Sequence, residues 1–156
     1  ESVGYNLEGS EIGAAFGLAQ LSKLENNISI RKKNFLKQIE FFGKFPEFFT
    51  LPIQNKNCST AWLAFPLLIK KDAPFSRKEF QIYLEKNNIQ TRVVFTGNII
   101  RQPMCKGKIF KTNKNGYVNS DEVMRRGVLL PVHHGMTDDM FNRFHKTINK
   151  FLEDIC

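Results

Sequence analysis

The first hydrophobic segment of the chain is apolar around most of a helix instead of along one stripe. Between positions 10 and 24 the apolar residues fall on nearly every face of an α-helix. A helix of this kind in a globular protein is buried on more than one side. The pattern therefore predicts a helix that other elements must cover, and its apolar residues are Ile12, Ala14, Ala15, Phe16, Leu18, Ala19 and Leu21.

A second helix is predicted from about Asn27, because apolar residues then recur along one stripe with lysine and arginine off it. Four short segments rich in aromatic and branched residues predict strands at 49–54, 61–70, 89–95 and 128–132. Pro66 cannot donate to a sheet ladder, so it favours an edge position or a bulge in the second of these strands.

Local signals mark the ends of the remaining helices. Ser76 and Glu79 have the spacing of a capping box, and Phe75 and Phe80 the spacing of a hydrophobic staple. Thr137 is placed to cap the last helix. A short helix from about 120 is expected to end at Gly127 as its C′ residue. The resulting order, ααββαβαβα, predicts an α+β (α/β) sandwich with a small mixed or antiparallel sheet covered by helices.

The composition limits the classes of protein to which this chain can belong. With 156 residues, 42% of them hydrophobic, the chain fits one globular domain, and no apolar run is long enough for a membrane span. Three widely spaced cysteines fit neither a disulfide framework nor a zinc site and favour a cytoplasmic location. No signal peptide is visible, and the first residue is Glu1 instead of Met, which predicts a piece of a longer polypeptide.

The net charge of +8 comes from clusters in segments of different type. A nucleic-acid-binding face would align basic residues with aromatic ones, so the scatter favours an ordinary solvated surface and no nucleic acid partner. The clusters are Lys32–Lys33, Lys70–Lys71, Lys106–Lys114 and Arg125–Arg126.

Three loops carry candidate chemistry. Asn6 precedes a helix start, where its amide can either close the local turn or reach an anion. The segment 91–103, "TRVVFTGNIIRQP", runs from a strand into Thr96-Gly97-Asn98 and carries Arg92 and Arg101. Arginines can hold phosphate or carboxylate by charge-assisted hydrogen bonds, but a plain turn with two surface arginines explains the segment equally well. The candidate site residues of this segment are Arg92, Thr96, Gly97, Asn98 and Arg101.

The third loop is "PVHHGM" at 131–136, with adjacent His133 and His134. On an extended chain two adjacent side chains point in different directions, and no Cys or carboxylate stands at ligand spacing, so no metal site is predicted.

Four blocks in this order resemble the C-terminal part of the DegT/DnrJ/EryC1/StrS family of pyridoxal-phosphate-dependent sugar-nucleotide enzymes, which have the aspartate aminotransferase fold. The resemblance implies a connecting helix at 1–24, leaving a large cofactor domain, and a small C-terminal domain at 25–156. The blocks are "GYNLEGSEIGAAFGLAQLSKL", "RKKNF", "TRVVFTGNIIRQP" and "LLPVHHGMTDDMFNRF".

The resemblance also implies where the chemistry lies. In the family the catalytic lysine, or the histidine that replaces it in dehydrases, precedes the first block, so no catalytic residue is expected in this chain and the fragment alone is expected to be inactive and to bind no cofactor. Asn6 matches the asparagine that reaches the cofactor phosphate of a neighbouring subunit, which implies a homodimer. Arg92, Thr96, Gly97, Asn98 and Arg101 match the segment lining the sugar-nucleotide site.

Two departures from the family pattern bear on the reaction. Many members have Arg or Lys where this chain has Glu8, so the resemblance implies no anion contact at that position. The aminotransferases tend to carry a His-x-Gln-Pro block, whereas Ile100 stands in the histidine place before Gln102 and Pro103. The resemblance therefore favours a 3-dehydrase acting on a nucleotide-linked 4-keto-6-deoxysugar with pyridoxal or pyridoxamine phosphate, in deoxysugar or lipopolysaccharide O-antigen biosynthesis. A sugar aminotransferase and, more remotely, a non-enzymatic basic binding module are the alternatives.

Overall fold

The computed structural model describes residues 9–155 of the chain. Its elements follow the predicted order, with two 3₁₀ turns at Ile99–Arg101 and Pro103–Cys105 between the third strand and the fourth helix. The helices are α1 (Glu11–Leu21), α2 (Leu24–Phe42), α3 (Arg77–Lys86), α4 (Val118–Arg126) and α5 (Asp138–Glu153), and the strands are β1 (Phe49–Thr50), β2 (Phe65–Ile69), β3 (Arg92–Val93) and β4 (Gly127–Leu130).

The four strands form one antiparallel sheet in the order β1-β2-β4-β3. The α+β prediction is confirmed, and of the two sheet types left open by the sequence the structure has the antiparallel one. Pro66 pairs with Leu129 of β4, while β1 covers only Leu68 and Ile69. On the β1 side, Pro66 therefore lies at an open edge, where its missing N–H disrupts no ladder.

The strands are much shorter than predicted, so the predicted strand boundaries are wrong. Residues 51–64 are irregular, and Trp62 has a positive φ of 42° while its ring stacks on Phe35 at 3.9 Å between centroids. Stacking draws this aromatic residue onto α2 before the sheet begins. At the start of the predicted third strand, Asn88 has a φ of 59° and Thr91 bonds to the Glu85 carboxylate instead of to a neighbouring strand.

The helix ends where Gly127 predicted, with α4 finishing at Arg126, but Gly127 does not have the left-handed conformation that is typical of a C′ glycine. Its φ and ψ are −77° and 135°, an extended conformation with which it opens β4. Glycine is needed there for space, because a Cβ would lie 2.6 Å from the Val123 carbonyl oxygen and 2.9 Å from a methyl carbon of Val94. The residue is a point of close packing between α4 and the sheet.

The hydrophobic core lies on one face of the sheet. Alternate residues of β2 and β4 point into it, whereas their neighbours Pro66, Leu68 and Leu129 are partly exposed on the other face. Apolar residues of three helices, α2, α3 and α5, complete the core. The largest fully buried side chains are Phe42, Phe65, Phe80, Ile69, Leu84, Leu130 and Ile148.

The predicted helix caps are confirmed. The Ser76 backbone N–H donates to the Glu79 carboxylate at 2.7 Å, and the Glu79 N–H donates to the Ser76 hydroxyl at 3.3 Å. Phe75 stacks on Phe80 with a centroid distance of 5.9 Å, as the hydrophobic staple requires. Thr137 accepts a bond from the Met140 N–H at 3.3 Å at the start of α5.

Helix α1 has no buried residue in the part of the chain that the structure describes. Ile12, Phe16, Leu18 and Leu21 are all exposed there, although the helix is apolar throughout. The division of the chain into a connecting segment at 1–24 and a domain at 25–156 stays a prediction. Across residues 9–155, no helix has both the length and the apolar content to cross a bilayer.

Buried polar side chains of α2 fix the segment that follows β4. Asn34 donates to the His133 carbonyl at 2.9 Å, and Gln38 donates to the Pro131 carbonyl at 3.2 Å. The Gln38 carbonyl oxygen lies 2.9 Å from Nε2 of His145, whose ring stacks on Phe41 at 3.8 Å. Since the amide nitrogen of Gln38 is the donor to Pro131, its oxygen is the acceptor, and His145 donates from Nε2.

This arrangement predicts a pH-dependent stability. Burial, with the positive charges of Lys44 and Lys37, lowers the pKa of His145 to about 4. The unfolded chain protonates this imidazole as the pH falls through about 6.5, whereas the folded chain keeps it neutral until about pH 4. The stabilising contribution is therefore complete above pH 6.5 and is lost between pH 6.5 and 4. We expect a loss on the order of 1–2 kcal/mol, since the half-exposed ring is screened by solvent.

Urea unfolding at a series of pH values checks this, with His145→Gln as the test variant and the exposed His134→Gln as its control. The stability of His145→Gln should change less with pH across this window, and that of His134→Gln should follow the wild type. An equal pH dependence in all three proteins would contradict the assignment.

Candidate functional site

The turn at 96–98 packs its backbone against α4. Gly97 has a φ of +64°, and its N–H donates to the Val94 carbonyl at 3.0 Å. A Cβ at this position would overlap with the side chain and Cα of Met124. Both the left-handed conformation and the close approach therefore require glycine. The amide of Gln102 closes the turn by donating to the Thr96 carbonyl at 2.8 Å.

A carboxylate on α4 holds two of the predicted site residues together. Asn98, only 4% exposed, donates from Nδ2 to Asp121 at 2.8 Å and accepts from the Ile100 N–H at 3.2 Å. Arg101 donates to both oxygens of Asp121, from Nε at 3.2 Å and from a terminal nitrogen at 3.0 Å. The bond from Arg101, followed by that from Asn98, lowers the pKa of Asp121, so the carboxylate is ionised at neutral pH.

The same contact leaves Arg101 able to bind a ligand. Its side chain is 60% exposed, and a guanidinium has five N–H donors, of which Asp121 takes two. The remaining three are held in a fixed orientation by the bidentate pair. The turn can therefore present a preoriented cation to a phosphate, while Asn98 serves the turn itself.

Sequence reasoning missed Phe95, which precedes the turn. Its side chain is 87% exposed and its backbone has a φ of 46°, a conformation that costs a bulky residue on the order of 1–3 kcal/mol. Ile99 and Met104 are exposed on the following 3₁₀ turns. An aromatic residue directly before a Thr-Gly-Asn turn is the sequence signal for this apolar rim.

Arg92 lies apart from the other predicted residues. It stands opposite Leu129 in the β3–β4 ladder, whereas the turn packs near the start of β4, against Met124. Arg92 lines a groove of about 400 Å³, together with His133 and Arg143. The structure thus brings Thr96, Gly97, Asn98 and Arg101 together and places Arg92 along the strand from them.

The two histidines of the "PVHHGM" loop are exposed and form no metal site. Nδ1 of His133 accepts the Gly135 N–H at 3.1 Å. Partial burial, with the neighbouring His134 and Arg31, lowers the pKa of His133, so the ring is neutral at pH 7. Among the described residues, no three His, Cys, Asp or Glu side chains cluster as metal ligands would.

The sequence matches the model of the DegT/DnrJ/EryC1/StrS aminotransferase family over residues 1–149. The chain belongs to this family. It is 33% identical over 150 residues to a dTDP-4-dehydro-2,6-dideoxy-D-glucose 3-dehydratase of Saccharopolyspora spinosa, covering 96% of this chain and 32% of that protein. It is also 31% identical over 151 residues to a dTDP-4-amino-4,6-dideoxy-D-glucose transaminase of Escherichia coli, covering 93% and 38%.

A solved structure of the family has the same fold. The E. coli GDP-4-keto-6-deoxy-D-mannose-3-dehydratase with bound hydrated PLP superimposes with a TM-score of 0.80 at 26% identity, covering 94% of this chain and 37% of that one. The predicted family and its PLP aminotransferase fold are therefore confirmed. The chain spans about a third of the length of the curated relatives that it matches.

One residue of this chain, Asn6, is predicted to contact pyridoxal phosphate. Asn6, the predicted contact with the cofactor phosphate, lies outside the described residues, as does Glu8. The cations lining the described groove are two arginines, with no lysine amine for a covalent bond. The groove can therefore attract an anion but cannot by itself hold this cofactor covalently.

The buried amide of Asn98 gives a test of how the turn is held. Asn98→Ala removes its bonds to Asp121 and to the Ile100 N–H, which we expect to cost about 1–3 kcal/mol of unfolding free energy. Asn149→Ala, at an exposed position of α5, should stay within about 0.5 kcal/mol of the wild type. Chemical denaturation measures both, and equal stabilities would show that the amide does not hold the turn.

Proposed function

We propose that this chain is the C-terminal part of a nucleotide-sugar 3-dehydrase, which removes the C3 hydroxyl of a nucleotide-linked 4-keto-6-deoxysugar. The observation that carries the proposal is the turn at 96–102. It presents Arg101 to solvent beside the exposed Phe95 that precedes it, and it has Ile100 where the aminotransferases of the family tend to have histidine. The similarity to 3-dehydratases over nearly the whole chain supports it.

The chemistry of the turn suits such a substrate. A diphosphate needs cationic N–H donors, and Arg101 has three left after its pair with Asp121. A sugar ring or base offers a flat face, and the exposed ring of Phe95 is a surface on which it can pack. The exposed Thr96 can offer a hydroxyl to a sugar oxygen.

The rest of the site would come from the longer protein. When bound, pyridoxamine phosphate supplies an amino group and an electron sink for loss of the hydroxyl. Asn6 would contact its phosphate from the neighbouring subunit of a homodimer, and the exposed apolar surface of α1 supports burial of this helix in the intact protein. The catalytic residue, a histidine in this proposal, would precede Glu1. The enzyme would act in the cytoplasm.

The second candidate is a sugar aminotransferase, since a transaminase of similar identity matches 93% of the chain. The two functions differ in the residue before the first block. A lysine can bond covalently to the cofactor and move a proton in transamination, whereas histidine can move a proton but cannot form that bond.

The reaction product tests the proposed function. The full-length enzyme is given pyridoxal phosphate, an amino-acid amine donor and a nucleotide-linked 4-keto-6-deoxyhexose. Mass spectrometry should show a 3-deoxy product that has lost one oxygen, and sequencing should show a histidine at the catalytic position. A stable 4-amino sugar that keeps its C3 oxygen, with a lysine at that position, would establish the aminotransferase instead.

Mixed dimers test the proposed role of Asn6. An Asn6→Ala subunit is combined with a subunit that lacks the catalytic residue, so that only a site shared between subunits can contain both groups. We expect the mixed dimer to recover activity at one of its two sites and each parent to lose cofactor or activity. No recovery would place Asn6 in the site of its own chain.

A further inference from the structure

The groove that contains Arg92 has the composition of a ligand site. We propose that this groove, lined by Arg92, Arg143, His133, Leu129, Met136 and Met140, binds a small organic anion with a flat apolar body. This proposal does not depend on the reaction type proposed above. The groove lies by the last residues of β4, whereas the turn that carries Arg101 packs on α4. We call this surface the Arg92–Arg143 groove.

The place of the groove follows from the antiparallel ladder. Its walls come from the loop between α3 and β3, from the last residues of β4 and the loop beyond, and from the first half of α5. The Thr96–Arg101 turn instead packs on α4, near the first residues of β4. The groove has a volume of about 400 Å³, a size that suits one small molecule.

The charges of the groove favour an anion. Two arginines line it and no carboxylate does. Within residues 9–155 neither Arg92 nor Arg143 forms an ion pair. One terminal nitrogen of Arg143 donates to the Asn87 carbonyl at 2.8 Å, which restrains the guanidinium while its other N–H groups stay available. Arg92 and the restrained Arg143 thus place two positive charges at one concave surface, where they complement a carboxylate or a phosphate.

His133 adds a neutral donor to the same surface. Its Nδ1 accepts the Gly135 N–H, so the neutral ring carries its proton on Nε2. Asn34 also fixes the backbone of this residue by donating to its carbonyl. The Nε2–H group can therefore donate to an anionic oxygen without bringing a further charge into the groove.

The remaining lining explains the apolar body of the proposed ligand. Leu129, Met136 and Met140 line the groove, and Met140 is exposed at the start of α5. Methionine is flexible and polarisable, and it packs well against flat aromatic surfaces. A purely inorganic anion would use the arginines but leave this apolar lining in water, so an aryl carboxylate or aryl phosphate fits better.

Methionine methyl NMR tests the proposal on the full-length protein. Methyl-labelled protein is titrated with 2-naphthoate, with 2-naphthyl phosphate and with neutral 2-naphthol, and the signals are assigned with Met→Leu variants. Met136 and Met140 should shift saturably with one or both anions, and Arg92→Gln should weaken these shifts without altering any shift of Met104 and Met124, which lie by the Arg101 turn and outside the groove. The neutral compound should bind at least about tenfold more weakly.

Substitutions separate this site from non-specific binding. Arg92→Gln and Arg143→Gln should each weaken the binding of the anion about tenfold, and Arg125→Gln, an exposed arginine outside the groove, should not. Because the Arg92 side chain makes no hydrogen bond within residues 9–155, its variant should keep the fold even if Arg143→Gln loses stability. Equal binding of naphthol, unchanged affinity in Arg92→Gln, or no methyl shift at millimolar ligand would each overturn the proposal.

Discussion

The close contact between α4 and the end of the β3 segment governs the candidate site. Gly97 and Gly127 are the two positions where a side chain would collide with this helix or its neighbours. Without a Cβ at either position, α4 can approach closely enough for Asp121 to reach both Asn98 and Arg101. This one carboxylate then holds Asn98 in the turn and orients Arg101, the cation that the turn presents. The chemistry of the site therefore depends on a packing constraint that involves no functional group.

Buried polar contacts fix the segment that follows β4 in a similar way. Asn34 and Gln38 of α2 hold the carbonyl groups of His133 and Pro131, at positions where a phenylalanine-rich core would otherwise leave these acceptors unpaired. The segment after β4 is thereby fixed where it forms one wall of the Arg92–Arg143 groove. The turn after β3 and the loop after β4 are thus each held by side chains of a helix that is distant from them in sequence, α4 for the turn and α2 for the loop.

The basic residues show that folding can bring together charges that are separated in the sequence. Lys70–Lys71 and Arg125–Arg126 are far apart in the chain, and this spacing predicted positive charges scattered over the surface. In the fold they line one cleft beside the start of α3, because β2 and β4 are paired neighbours. Glu122 pairs with both arginines of α4, so the cleft is less cationic than its composition indicates. Pairing of β2 with β4 brings the two clusters together, and the Glu122 carboxylate offsets part of their positive charge.

The sequence by itself determined what depends on near neighbours: the order of helices and strands, the capping box at Ser76, the cap at Thr137 and the family motifs. These features use contacts within a few residues, so their spacing is sufficient to predict them. Only the tertiary structure decided the short strands, the extended conformation of Gly127, the separation of Arg92 from Asn98 and Arg101, and the exposure of Phe95. Each of these depends on which distant segment packs against the residue, since strand pairing, van der Waals exclusion and a shared carboxylate arise only when the chain is folded.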